Sequence, residues 1–245
     1  MEGLPLPLWR DRLALLASER CATMVGRREG QKALRDALHL TKPGDDPGPA
    51  GTILRHWSRV VERPISVAAL SRAVEGLAVD QIALCLDARG APMERAAHVI
   101  EAILSDAPRG QMWALILADT SLAQALGASH VMPLLALSLT SRDLSLRGDA
   151  LRGACHRAAL TGVRLALQTA AELARGAARL RAVGPKLRAH QADRAVEMFL
   201  RREALPATAL DFMSDRAARR LCERLVDLGA LRELTGRDTF RLYGV

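Results

Sequence analysis

The sequence predicts a mainly α-helical protein that ends in a short β-hairpin, and three observations predict it. Hydrophobic residues make up 49% of the chain but aromatics only 3%, while the helix formers Ala, Leu and Arg recur throughout. Apolar residues fall at three- and four-residue spacings over most of the 245 positions, the period of a helix with one buried face. At the end of the chain a capped helix, a glycine and two β-capable runs replace that pattern.

The elements follow in order. Leu13, Leu15, Leu16, Cys21 and Ala22 give a first helix from about Trp9, and Lys32 to Leu40 a second. Thr41 to Gly51 holds three prolines and three glycines, so it is irregular backbone with fixed turns. Helical spacing returns over Ala50 to Glu62, Ser66 to Leu77, Asp80 to Leu86, Met93 to Leu104 and Met112 to Leu126, and Pro133 opens a short apolar segment. From Gly148 to about Val183 the spacing of Leu151, Cys155, Ala158, Ala159, Val163, Ala166, Leu167, Ala170, Leu173, Ala177 and Leu180 describes one long helix. Its small-residue face permits close packing in an orthogonal or bundle-like arrangement. Gly184-Pro185 is a hinge, Ala195 to Leu200 a helix, and Pro206 to Phe212 a second short helix with Pro206 in its first turn.

Formal net charge is +8, which suits a polyanionic partner and is equally the product of an Arg-rich composition. Cys21, Cys85, Cys155 and Cys222 lack the paired spacing of metal or redox sites and read as reduced core cysteines. The N-terminus lacks a basic region followed by a cleavage site, so no secretory signal is expected. The apolar run Met112 to Ala118 is far shorter than the roughly 20 residues of a membrane span. The expected compartment is the cytoplasm, with no membrane partner.

The C-terminal pattern carries the most information. Ser214 is placed to accept from the free N–H groups of the next turn, Asp215 favours the positive helix end, and Gly229 ends the helix. Ala217, Ala218, Leu221, Cys222, Leu225 and Leu228 form the stripe expected to be buried, which turns Arg216, Arg219, Arg220, Glu223 and Arg224 outward. Leu231 to Leu234 and Thr239 to Tyr243 then flank Thr-Gly-Arg-Asp. A five-residue connection pairs Leu234 with Phe240 and Glu233 with Arg241, the chemically better register; a two-residue turn sets Arg232 opposite Arg241. Helix, glycine and hairpin together outline a small winged helix-turn-helix, with Arg237 at the tip of the wing. The helix, about 21 Å long, is long enough to lie in a DNA major groove. Winged helices also dock proteins and dimerise, and the Arg face is open to plain solvation with pairs such as Arg219 and Glu223.

Other candidate chemistry is weaker. Asp45 and Asp46 lie beside glycines near His39, Arg35 and Asp36, a set able to form a ligand loop for a cation or for acid/base work, and equally a pair of turn caps. Asp119, inside an apolar run, requires an Arg or a backbone donor, with Arg164 and Arg175 as candidates. Gln168, Glu172, Arg175 and Arg179 share one face of the long helix, either solvated or an interdomain contact. His98, His130, His156 and His190 have no metal-ligand spacing. No phosphate-binding loop, dinucleotide fingerprint, nucleophile elbow or His-Glu-x-x-His occurs. No metal, cofactor or catalytic residue is expected.

On these residues the chain resembles the bacterial domain-of-unknown-function family 1403, found mainly in alphaproteobacteria. The resemblance is carried by Leu34-Arg-Asp-Ala-Leu-His-Leu-Thr-Lys-Pro-Gly-Asp-Asp-Pro-Gly-Pro-Ala-Gly51, by Pro185-Lys-Leu-Arg188, by Ser214-Asp-Arg-Ala-Ala-Arg-Arg-Leu221 and by Arg232-Glu-Leu-Thr-Gly-Arg-Asp-Thr-Phe-Arg-Leu-Tyr-Gly244. It spans most of the chain, implies no mechanism, and implies further Ala-rich sequence before the position of Trp9. The C-terminal segment alone is similar to the winged helix that ends many Fic-type proteins, although the Fic catalytic run has no counterpart here.

These readings assign residues 1–184 to a helical domain and 185–245 to a winged-helix domain. The expected function is that of a DNA-binding or regulatory accessory protein, with double-stranded DNA held by Arg216, Arg219, Arg220, Arg224 and Arg237. The alternative is a protein-interaction or homodimerisation module without DNA contact, and the third reading an enzyme using the Asp45/Asp46 loop.

Overall fold

A computed structural model describes residues 3–42, 44–187, 191–236 and 239–245, with Lys186 described by its backbone alone. Among the described residues, eleven α-helices and a three-stranded antiparallel sheet account for the regular structure. The helices are α1 (Leu6–Met24), α2 (Gln31–His39), α3 (Gly48–Glu62), α4 (Val67–Ala73), α5 (Val79–Leu86), α6 (Pro92–Asp106), α7 (Gln111–Ala125), α8 (Ser141–Leu144), α9 (Gly148–Val183), α10 (Ala192–Phe199) and α11 (Asp215–Asp227). The mainly α expectation therefore stands, and most helix limits follow the local signals. Pro7 and Pro92 occupy first-turn positions of α1 and α6, where the missing N–H costs nothing. Ser66 caps α4 by accepting from the Ala69 backbone N–H.

Two helices depart from a one-sided pattern because several elements pack around them. α1 packs against α2, α3, α7 and α9, and in α7 every residue from Ala114 to Ala123 is buried. That run includes Asp119, whose Oδ1 and Oδ2 accept the backbone N–H groups of Leu135 and Ala136 at 2.7 and 3.0 Å. Backbone, not Arg164 or Arg175, is thus what satisfies this carboxyl. Burial pushes its pKa up to about 8 against the pull of those donors. The segment it holds, Met132 to Leu139, is a chain of buried turns rather than a helix. It runs so close to α9 that a Cβ on Gly162 would lie 2.0 Å from the Leu134 carbonyl oxygen. Only a glycine allows that approach.

The sheet is built from β1 (Leu205–Pro206), β2 (Arg232–Glu233) and β3 (Leu242–Gly244), ordered β1-β3-β2. Here the sequence reading needs two corrections. Pro206 to Phe212 is not a helix of its own: Leu205 and Pro206 pair with Tyr243 and Leu242, and a single 3₁₀ turn, Ala207–Ala209, follows. Pro206 tolerates this because it lies on an edge strand. The hairpin register also differs from both expected ones, with Arg232 opposite Gly244 and Glu233 opposite Tyr243. Thr235 Oγ1 accepts from the Leu242 backbone N–H at 3.3 Å, so its side chain ends the ladder and leaves a longer connection. Facing two strands, β3 is buried over all three residues.

One contiguous cluster of buried apolar residues runs from Leu8 through the helices to Phe199, Leu221, Leu225, Tyr243 and Val245. Val245 closes against α9, where Gly176 makes room for it. All four cysteines are free and buried.

Candidate nucleic-acid interface

α11 is held at both ends by local chemistry. Ser214 Oγ accepts from the Ala217 N–H at 3.4 Å, Asp215 sits in the first turn, and Gly229 takes φ +65° just past the last turn. Ala218, Leu221, Cys222 and Leu225 are buried, whereas Ala217 is exposed and Leu228 is 40% exposed. The buried stripe is therefore narrower than expected, since the helix ends project beyond the surface they pack on.

Arg216, Arg219, Arg220 and Arg224 are all exposed. Arg216, Arg220 and Arg224 follow one another at four-residue steps and so form a single ridge about 12 Å long. Among the described residues, no carboxylate lies in an ion pair with these three. Arg219 lies 3.9 Å from Asp215, not against Glu223. Glu223 instead faces Arg241, at 4.0 Å, and Arg241 also lies 3.7 Å from Glu233. The β2–β3 connection thereby flanks α11 on the Glu223 side. Arg237, the expected tip residue, lies outside the described residues, as does His190.

What seats this unit on the helices is a buried ion cluster that the sequence did not announce. Glu203, on the link between α10 and β1, is 5% exposed. Arg35 of α2 donates to it from Nε at 2.8 Å and also from its terminal Nη2, and Arg12 of α1 approaches to 2.9 Å. Burial pushes the Glu203 carboxyl up, but the two guanidiniums outweigh it and hold the carboxyl below its usual range. The Glu203 backbone N–H donates to Asp11 at 3.0 Å. Burial there wins, and the Asp11 pKa is raised despite that bond and the nearby Arg202. Arg12 and Arg232 both donate to the Val245 backbone oxygen, at 3.3 and 3.2 Å.

His39 belongs to this neighbourhood. Burial lowers its pKa, with Glu203 pulling the other way and Arg35 adding to the lowering. Asp45 and Asp46 are exposed, and Asp46 accepts the Gly48 N–H at 2.9 Å, a turn cap. Among the described residues no group of three His, Cys, Asp or Glu side chains is placed to hold a metal ion. On α9, Gln168, Glu172, Arg175 and Arg179 are exposed, and so, against expectation, are Val163 and Leu167, which lie one residue past the buried Gly162 and Ala166 and so turn about 100° away from the packed face. His56, passed over in the sequence, is buried edge-on to Trp113, with Nδ1 2.8 Å from the Ala73 carbonyl oxygen.

No helix among the described residues is long and apolar enough to cross a membrane. No curated relative matches the chain. A family model described as "Protein of unknown function (DUF1403)" matches residues 1–245, and the chain belongs to that family.

Proposed function

We propose that the chain is a DNA-binding or regulatory accessory protein of the cytoplasm that acts through a C-terminal winged helix at residues 185–245, with residues 1–184 serving a ligand, a partner or self-association. The observation that carries the reading is the ridge of Arg216, Arg220 and Arg224 on a capped helix whose opposite face is buried. The order α10, β1, 3₁₀ turn, α11, β2, β3, with β3 between the other two strands, supports it further, because that order leaves one face of α11 free beside a wing. Arg219 adds a fourth cation, partly balanced by Asp215. Affinity in such a site comes mainly from phosphate neutralisation.

The test is fluorescence anisotropy of the full chain with a mixed-sequence duplex over a salt series. Arg216→Ala/Arg220→Ala/Arg224→Ala should weaken binding across all sequences and reduce the slope of log K against log salt by about 3. An unchanged slope refutes the assignment.

A second reading, self-association, is favoured by Leu160, Val163 and Leu167, which are 64%, 40% and 52% exposed on α9 and recur at helical spacing. Sedimentation velocity decides it: a dimer that Leu160→Gln/Leu167→Gln returns to monomer supports this reading.

A further inference from the structure

The β2–β3 connection carries a residue whose placement the fold does not require. The chain has seven aromatics, three Trp, three Phe and one Tyr. Six of them, Trp9, Trp57, Trp113, Phe199, Phe212 and Tyr243, are buried or half-buried. The seventh, Phe240, is 72% exposed. Its backbone takes φ +56°, a left-handed conformation that strains a bulky side chain and that glycine adopts freely. Stability alone would favour a small or polar residue here, since the ring gains no burial and the backbone is strained. What sets it apart from the other exposed apolar side chains is the left-handed backbone, a strain that an external contact would account for.

The tie between this connection and the helix that bears the Arg216, Arg220 and Arg224 ridge points to the same polyanion. Arg241, the next residue, faces Glu223 of α11 at 4.0 Å and Glu233 of β2 at 3.7 Å, which ties the connection to the arginine-bearing helix. On the other side of the connection, a Cβ at Gly236 would lie 3.7 Å from Lys32 Nζ, so an exposed cation of α2 meets the connection there. Below the ring, the Thr235 side chain accepts from the Leu242 N–H and the Leu234 N–H donates to the Leu242 carbonyl at 2.8 Å. The base of the connection is thus fixed while the Phe240 ring faces solvent.

Resting on the DNA-binding reading, we infer that Phe240 is a wedge that enters the minor groove of duplex DNA and partly unstacks one base step, with the Arg216, Arg220 and Arg224 ridge and Lys32 on the phosphates. A planar apolar ring on a connection tied to a cationic helix fits this role because insertion needs an unstacking surface and the flanking backbone needs countercharge. Flexible pyrimidine–purine steps are the preferred site, since they unstack most easily.

The experiment uses the full chain and a duplex with a central TA step, carrying a donor and an acceptor dye at its two ends. Anisotropy reads affinity, energy transfer reads the bend, and thermal unfolding without DNA reads the fold. Phe240→Gly removes the ring and suits the positive φ. It should unfold at the same temperature or higher, bind about 10-fold more weakly with an unchanged salt slope, and lose the bend. Phe240→Leu, still a wedge, should keep part of the bend. Phe240→Gly with wild-type affinity, or with weakened binding and an intact bend, overturns the insertion. If Arg216→Ala/Arg220→Ala/Arg224→Ala loses binding in that same series, the DNA-binding reading survives the loss of the wedge. A wild-type chain that does not bind the duplex at low salt overturns both.

Discussion

Replacing Glu203 by Gln should be among the most damaging single changes to this fold. The carboxylate sits between two guanidiniums, with Arg35 Nε 2.8 Å and Arg12 Nε 2.9 Å away, in a position only 5% exposed. Gln keeps the shape but removes the charge and turns an amide donor toward a donor, so two buried cations lose their anion. Breaking a buried pair in this way costs about 3–5 kcal/mol, a large share of the roughly 5–15 kcal/mol that holds a domain together. The pH dependence has a definite sign. The folded-state pKa of Glu203 lies below its ordinary 4.5, so its contribution is fully present above that value and is lost as pH falls through the lower folded one. Urea unfolding followed by circular dichroism at neutral pH measures the loss. The triple variant Arg12→Met/Arg35→Met/Glu203→Met separates charge from packing, and should recover most of the stability because no ion is left unpaired. A loss below about 1 kcal/mol for Glu203→Gln, or a triple variant worse than the single one, would refute the reasoning.

Two further outcomes test the core. Asp119→Ala leaves the Leu135 and Ala136 N–H groups without their acceptor and should cost about 2–6 kcal/mol, at about 1–3 for each buried donor, read by the same unfolding assay. Because burial raises the folded-state pKa of Asp119 to about 8 from 3.8, its native state holds a proton more tightly, and stability should fall as pH rises from the lower value to the higher. Asp119→Asn should flatten that limb, and identical slopes in the two proteins would exclude it. Gly162→Ala must displace the Leu134 backbone and should cost about 1–3 kcal/mol, or roughly 2–4 °C of melting temperature per kcal/mol. By contrast Gly153→Ala, whose nearest neighbour would be the flexible end of Arg157 at 3.5 Å, should be neutral or stabilising.

Local chemistry was legible in the sequence, and long-range pairing was not. The limits of α11 follow from Ser214 and Gly229 because a cap and a left-handed glycine act within a few residues. α9 was equally legible, since a long apolar row needs no knowledge of its partner to be helical. The hairpin register failed for a physical reason: it depends on the Thr235 hydroxyl ending the ladder and on Phe240 adopting a positive φ, and neither is encoded in which side chains pair well. The ion cluster failed for another. Arg35 and Glu203 are 168 residues apart, and charged residues are read as surface by default. The one available hint is that Arg35 follows the fully buried Leu34 on a short helix, too little to name a partner.

The same cluster bears on how the proposed interface is oriented. Lys32 and Arg35 lie three residues apart on α2, which places them on adjoining turns of one helix face. Arg35 grips Glu203 at the start of β1, and Lys32 stands at Gly236 in the β2–β3 connection. α2 thus touches the C-terminal unit at the root of one strand and at the projection beyond two others. Arg12 adds a second anchor from α1, which itself packs against α3, α7 and α9. A bidentate guanidinium–carboxylate contact fixes angle as well as distance. The angle between α2 and the sheet is therefore set by charge-assisted bonds, whereas the apolar contacts around Phe199 and Leu205 are less directional. Any ligand or partner that shifts α2 must work against those bonds, and would carry Lys32 and the projection with it. The helical part is in this way more than a support: it supplies one cation to the proposed surface and fixes the orientation of the others.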